Sequence, residues 1–269
     1  MKKAKVLYIM QEITPYLKDS SMSHIGRHLP QGIQEKGREI RTFMPRFGHI
    51  NERRNQLHEV IRLSGMNLII DDADHPLIIK VASIQQARMQ VYFIDNEDYF
   101  QRKAILNDEN GVEFSDNDER AVFFARGVLE TVRKLRWTPD LVHCHGWFTS
   151  LIPLYLKKVF HDDPLFGHAK VVYSLYQDSF IKPLNESFKQ KILMPGIKPA
   201  DVDVLTVPDF VHLSQMAITH SDAVMIGSQV LNPEVESFLR KSGKPFLEYQ
   251  EPESFVEAYS NYYRDVLGV

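Results

Sequence analysis

The sequence predicts an α/β fold in which helices cover both faces of a mostly parallel sheet. Short apolar runs bounded by turn residues alternate along the chain with longer segments of helical periodicity. The runs occupy residues 6–10, 39–44, 90–95, 140–145, 170–175 and 223–227. Continuous apolar runs are typical of strands that are buried on both faces, which favours parallel strands joined by helical crossovers.

A second pattern occupies residues 58–84. The segments HEVIRL, MNLIIDD and PLIIKVASI alternate polar and apolar residues with a period of two. This alternation predicts an antiparallel meander inserted at one edge of the sheet.

Three internal segments have the apolar spacing of amphipathic helices. In the longest, SDNDERAVFFARGVLETVRKL, Ser115 is predicted to be the N-cap. The other two are SLIPLYLKKVF and DFVHLSQMAITH. Residues 178–208 contain several prolines and glycines and no firm periodicity, so they predict a long loop that is functional or variable.

The last segment, residues 254–267, predicts a terminal helix with an aromatic face. Phe255, Tyr259, Tyr262 and Tyr263 recur at helical spacing. We expect this helix to dock on the rest of the chain, and binding to a partner remains the alternative.

Composition limits the classes of function. The 269 residues include 43% hydrophobic residues, which is enough for a substantial core. With 32 basic and 35 acidic residues the net charge is −3, so we expect neither a nucleic acid nor a membrane as a partner. A single cysteine excludes an intramolecular disulfide and favours a cytoplasmic location, and no apolar run approaches the ~20 residues of a membrane span.

The stretch PDLVHCHGWFT places two histidines at the end of a predicted strand. His143 and His145 point to one face of that strand and Cys144 to the other. Zinc normally needs three or four protein ligands, and no further ligand follows at a suitable spacing, so we expect no metal and no cofactor. The carboxyl end of a parallel strand is where such sheets bind ligands, whereas Cys144 is expected to be a small core residue.

Several motifs, in order, resemble the bacterial glycogen and starch synthases of glycosyltransferase family 5. They are KVLYIMQEITPYLKDSSMSHIGRHL, FSDNDERAVFFARGVLETV, PDLVHCHGWFTSLIPLYLK and DFVHLSQMAITHSDAVMIGS, and the resemblance covers about residues 4–230. It implies the Rossmann-like, doubly wound amino-terminal half of a GT-B fold. It further implies a retaining, metal-independent glucosyltransferase that moves glucose from a nucleotide sugar to an α-1,4-glucan.

In that family a second domain supplies most of the nucleotide contacts. Residues 1–269 have room for the first domain only, so we expect one synthase-like domain. In GT-B enzymes the last helix returns to pack on the first domain, and we expect residues 254–267 to be that helix.

The resemblance also implies which residues would meet the sugar donor. Lys18 matches a lysine whose charge would face the diphosphate. Ser20 and Ser21 replace two glycines that let backbone amides approach the ligand, and His24 replaces an aspartate. Serine at either position restricts positive φ and fills the approach path.

The family's second motif is kept in part. His143, His145, Trp147 and Thr149 are retained, whereas Gly146 replaces an aspartate and Phe148 a histidine. The remaining ligand-binding candidates align with changed family positions, namely Tyr176 and Gln177 at a histidine–asparagine pair and Gln215 at a lysine.

Three functions follow from this pattern of retained and changed residues. The favoured one is a non-catalytic domain that binds α-glucan, a sugar phosphate or a protein, with an exposed aromatic surface of Tyr16, Trp147, Phe148 and Tyr176 for stacking on sugar rings. The second is half of a split transferase, whose protein partner supplies the other GT-B domain. The third is glucosyl transfer from ADP-glucose or UDP-glucose by this chain alone.

Overall fold

The computed structural model describes residues 3–269, which form the predicted alternation of strands and helices. The strands, numbered β1 to β10, span Lys5–Met10, Glu39–Pro45, His58–Glu59, Met66–Ile70, Ala73–Ile84, Met89–Asp95, Leu141–His145, Lys170–Leu175, Ala223–Ile226 and Phe246–Leu247. The helices, numbered α1 to α8, span Ser21–Glu35, Glu97–Phe100, Asn117–Leu135, Leu151–Lys158, Phe188–Lys191, Phe210–His220, Pro233–Lys241 and Phe255–Leu267.

The sheet confirms the predicted parallel core with an antiparallel edge. Its strand order is β10-β9-β8-β7-β1-β2-β6-β5-β3, with β4 paired to β5 outside this path. Neighbouring strands from β10 to β6 are parallel, whereas β5 runs antiparallel to β6, β3 and β4. The meander is smaller than predicted, because HEVIRL contributes only β3 before Leu63 and Ser64 turn back to the Val60 carbonyl.

Strand β1 is where the strand order reverses, because β2 lies on one side of it and β7 on the other. Right-handed crossovers in opposite directions place α1 on one face and α3, α4 and α6 on the other. The terminal helix α8 packs beside α1 on the first face, over β7 and β8. A Cβ at Gly32 would lie 2.4 Å from Val256, so a glycine is needed where α1 meets α8.

Two local predictions were wrong or incomplete. Helix α3 begins at Asn117 with Asp116, not Ser115, at the N-cap position. The Asp116 carboxylate makes no capping hydrogen bond, because it pairs with Arg102 at 2.6 and 2.9 Å. Neither α7 nor β10 was predicted, and residues 178–208 contain only α5 and short 3-10 turns within an otherwise irregular path.

None of the helices within residues 3–269 combines the length and the apolar character needed to cross a membrane.

Candidate functional site

The carboxyl ends of β1 and β7 meet at the point where the strand order reverses, which is where open α/β sheets bind ligands. Gln11 follows β1, and its side-chain oxygen accepts a hydrogen bond from the Phe148 backbone at 3.1 Å. Gly146 follows β7 with φ of +83°, and a Cβ there would lie 2.7 Å from that Gln11 oxygen. Gln11 therefore fills the base of this crevice, and only glycine fits at position 146.

The loop that would face a diphosphate is closed by its own hydrogen bonds. Ser20 caps helix α1: its hydroxyl accepts from the Ser23 backbone at 3.0 Å, and the Ser23 hydroxyl accepts from the Ser20 backbone at 2.8 Å. The Ser20 hydroxyl donates to the Glu12 carboxylate at 2.7 Å. The first N–H groups of α1 are thus partly satisfied within the chain, and a negative charge lies beside them.

The predicted restriction of positive φ by serine does not apply at position 20. Ser20 adopts an extended conformation with φ of −142°, so this loop does not use a left-handed conformation at that position. Ser21 is exposed in the first turn of the helix. Lys18 is also exposed, and within residues 3–269 its ammonium group makes no ion pair or hydrogen bond.

His143 and His145, hereafter the histidine pair, lie side by side with ring centroids 3.8 Å apart. His143 shares hydrogen bonds with the Tyr263 hydroxyl at 2.5 Å and the Ser174 hydroxyl at 2.7 Å. His145 shares one with the Tyr176 hydroxyl at 2.7 Å. The pair is therefore enclosed between the sheet and α8, and does not line an open surface.

Burial determines the charge of the histidine pair. It lowers the pKa of His143 well below its usual value, with His145 adding a smaller effect, and it lowers the pKa of His145 to about 3. Both rings are neutral at pH 7, so neither supplies a cation for phosphate. Within residues 3–269 no group of three or more histidine, cysteine or acidic side chains is arranged to hold a metal ion. Cys144 is buried, as predicted.

Asp178, which was not among the predicted site residues, is the second acidic group at the crevice. Its carboxylate accepts a hydrogen bond from the Trp147 backbone at 2.7 Å. The pKa of Asp178 is raised to about 7, chiefly by burial and with a smaller contribution from the nearby Glu12 carboxylate, while backbone hydrogen bonds oppose this rise. Asp178 lies three residues past the end of β8, and this position at a strand end was the sequence signal that could have revealed it.

The predicted exposed aromatic surface is wrong. All four of its members are at least nine-tenths buried, namely Tyr16, Trp147, Phe148 and Tyr176. The Trp147 ring packs against Phe180, with centroids 4.8 Å apart, and the Tyr16 ring meets the Phe93 ring edge-on at the same separation. These rings stabilise the core and offer no platform for a sugar.

The remaining predicted residues lie apart from one another. Gln177 is exposed, and its backbone N–H donates to the Ser228 hydroxyl at 3.1 Å. The Thr149 hydroxyl is buried and donates to the Gly146 carbonyl at 2.8 Å, which supports the turn after β7. Gln215 is half-buried on α6, on the opposite face from the histidine pair.

A cavity of about 310 Å³ lies between the start of α1 and the segment that leads into α8. Polar and aromatic side chains share its wall. They are Asp19, Ser20, Ser21, His24, Ile25, Tyr249, Gln250, Pro252 and Phe255. The outer wall of this cavity could not be predicted, because residues 249 and 250 are more than two hundred positions from α1 in sequence and meet it only in the folded chain.

Comparison with known proteins identifies the family. Residues 5–243 match the family described as the starch synthase catalytic domain. The chain belongs to this family. A glycogen synthase from Chlorobium limicola is 33% identical over 232 residues, which are 86% of this chain and 47% of that protein. A glycogen synthase from Chlorobium luteolum is 39% identical over 173 residues, which are 64% of this chain and 35% of the relative.

Among solved structures, the catalytic domain of starch synthase IV from Arabidopsis thaliana, bound to ADP and acarbose, matches with a TM-score of 0.72. The match covers 94% of this chain and 53% of that chain at 16% identity, so it shows the fold alone. The chain spans about half the length of the glycogen synthases that it matches. Its matches to two of them extend over 232 residues, which are 47% of each relative.

Proposed function

We propose that this chain is a glycogen/starch synthase-like domain that binds α-glucan and does not transfer glucose on its own. The observation that carries the proposal is the closed start of helix α1, where Ser20 and Ser23 cap each other and Glu12 accepts from Ser20. The chain would act in the cytoplasm as one domain over residues 1–269, with α8 as part of it.

The closed loop opposes binding of a nucleotide diphosphate. A diphosphate that used the N–H groups of α1 would displace the Ser20 cap, which is worth about 1 kcal/mol, and would meet the Glu12 carboxylate. Asp178, whose pKa is raised to about 7, adds negative charge to the same crevice above that pH. Transfer chemistry depends on prepositioned donors and cations, and removing one such donor typically costs about 10²–10³ in rate.

The cavity beside α1 has the chemistry expected for a neutral sugar. Asp19, His24 and Gln250 offer hydrogen-bonding groups, and the half-buried Tyr249 offers aromatic surface. Such a mixed wall suits hydroxyl groups and the apolar face of a sugar ring. The names of the relatives, glycogen synthases, support an α-glucan as the source of that sugar.

The proposal is tested by titrating maltoheptaose into the wild type, Gln250→Ala and the control Gln229→Ala. Gln229 is exposed and lies outside the cavity. We expect thermal stabilisation of the wild type and the control, reaching about 2.7 kcal/mol at 100 times the dissociation constant. We expect weaker binding by Gln250→Ala. Equal binding by all three proteins would place the glucan elsewhere.

A split transferase is the second candidate, and the exposed Lys18, whose ammonium group has no partner among the described residues, favours it. A separate polypeptide would supply the second GT-B domain and leave Lys18 to meet the donor diphosphate. The test adds the carboxyl-terminal half of the Chlorobium limicola glycogen synthase and measures glucosyl transfer from ADP-glucose. Transfer that is lost in Lys18→Gln would establish this candidate, and transfer that stays at background would remove it.

A further inference from the structure

A second cavity, of about 520 Å³, lies at the opposite edge of the sheet, at the amino ends of β1, β2 and β6. Its wall carries an unusual number of cationic side chains. Lys3, Arg38, Arg41 and Arg88 line it together with Glu39 and Tyr92. This cavity is separate from the crevice and from the proposed glucan cavity.

The charges in this cavity are not balanced. None of the four cations has a carboxylate within 4.0 Å among residues 3–269. The only acidic residue of the wall, Glu39, is already engaged: it accepts from the Trp137 indole at 2.5 Å and lies 3.9 Å from the Lys5 ammonium. The cavity therefore keeps a positive excess that a multiply charged anion would neutralise.

Two of the arginines are held in place before any ligand arrives. The Arg41 guanidinium donates to the Tyr92 hydroxyl at 2.6 Å and lies 5.4 Å from the centre of the Trp137 ring. The Arg38 guanidinium donates to the Ser260 carbonyl of α8 at 3.2 Å. Side chains that are already ordered lose less conformational entropy on binding.

Both guanidiniums also retain unused donors. The buried Nη1 atom of Arg38 and the buried Nε atom of Arg41 have no hydrogen-bond partner within the described chain, so a phosphate would reach them after a small movement of the two side chains. Guanidinium groups bind phosphate oxygens through parallel hydrogen bonds, and charge-assisted bonds of this kind are the stronger ones.

We propose that this cavity binds a small phosphorylated molecule through Lys3, Arg38, Arg41 and Arg88. Its volume suits a small ligand, and its charge favours a phosphate or diphosphate over a neutral sugar. Because Arg38 also contacts α8, an occupied cavity would stabilise the docked position of that helix. The phosphate groups could come from a nucleotide or from a sugar phosphate.

The experiment is isothermal titration of the full chain with inorganic pyrophosphate. The test variant is Lys3→Gln/Arg88→Asn, which removes two exposed cations; asparagine tolerates the left-handed backbone of residue 88, whose φ is 49°. The control variant, Arg53→Gln/Arg62→Gln, removes the same charge from exposed positions outside the cavity. Equal melting temperatures would show that all three proteins are folded.

We expect pyrophosphate to bind the wild type and the control alike, and the test variant at least about tenfold more weakly. Binding should also weaken as salt rises. Absence of binding to the wild type, or equal weakening in both variants, would overturn the proposal. Parallel titrations with ADP and with glucose 1-phosphate identify the source, because the tighter ligand shows whether a nucleotide or a sugar carries the phosphate.

Discussion

Replacing Tyr263 with phenylalanine should destabilise the fold, because it removes the hydrogen bond between α8 and His143. Tyr263 is fully buried, and its hydroxyl lies 2.5 Å from the Nδ1 atom of His143. Phenylalanine fills almost the same volume, so the substitution removes the hydrogen bond with little change in packing.

The expected loss of stability follows from the Nδ1 atom of His143, which is left without a partner. The second ring nitrogen of His143 is engaged with Ser174 at 2.7 Å, so rotating the ring would exchange one unsatisfied nitrogen for another. A buried polar group without a partner costs about 1–3 kcal/mol. For chains of 150–250 residues, each 1 kcal/mol lowers the melting temperature by about 2–4 °C.

Urea denaturation of the wild type, Tyr263→Phe and Tyr262→Phe measures this cost. Tyr262 is the matched control, because it is the neighbouring residue on α8 and its buried hydroxyl has no hydrogen-bond partner in the described part of the chain. We expect Tyr262→Phe to remain within about 0.5 kcal/mol of the wild type. Equal free energies of unfolding for the two variants would refute the reasoning about the histidine pair.

Three further predictions follow from the site. Because burial lowers the pKa values of the histidine pair, the unfolded chain binds more protons than the folded chain below about pH 6.5. Stability should therefore fall as the pH is lowered, by up to about 1.4 kcal/mol per pH unit for each histidine. Asp178, with its pKa raised to about 7, has the opposite sign, so Asp178→Asn should steepen this loss in urea titrations between pH 7.5 and 5. Gly146→Ala should lower the melting temperature more than Gly37→Ala, since both have positive φ but no atom of residues 3–269 lies within 4 Å of a Cβ at Gly37; equal losses would show that contact with Gln11 is unimportant. Ser20→Ala should cost about 0.5–2 kcal/mol as a lost N-cap, whereas Ser21→Ala should be neutral, and denaturation curves that coincide would contradict the capping geometry.

Features set by local pattern could be predicted from the sequence. Buried apolar runs gave the parallel strands near the right residues, and the period-two segments gave the antiparallel edge. Helix α8 followed from its aromatic spacing. The Ser20 cap was also within reach, because a pair of serines three residues apart at a helix start is a local signal.

Features that depend on contacts between residues far apart in the sequence could not be predicted. Trp147 was expected on the surface, but Phe180, from a loop without periodicity, covers it. His143 and His145 were predicted to share one face of their strand, as they do, whereas their burial under Tyr263 depends on a residue more than one hundred positions away in sequence. Local spacing gives the direction of a side chain and does not reveal what packs over it.

The most direct test of the proposed function is a pair of calorimetric titrations of the wild type, one with maltoheptaose and one with ADP-glucose. The account predicts saturable binding of maltoheptaose and no binding of ADP-glucose that persists in Lys3→Gln/Arg88→Asn, because Ser20, Ser23 and Glu12 close the loop that would meet the diphosphate. A radiolabelled transfer assay on the same protein should remain at background. Saturable binding of ADP-glucose that is unchanged in Lys3→Gln/Arg88→Asn, or incorporation of glucose into glucan, would contradict the central claim.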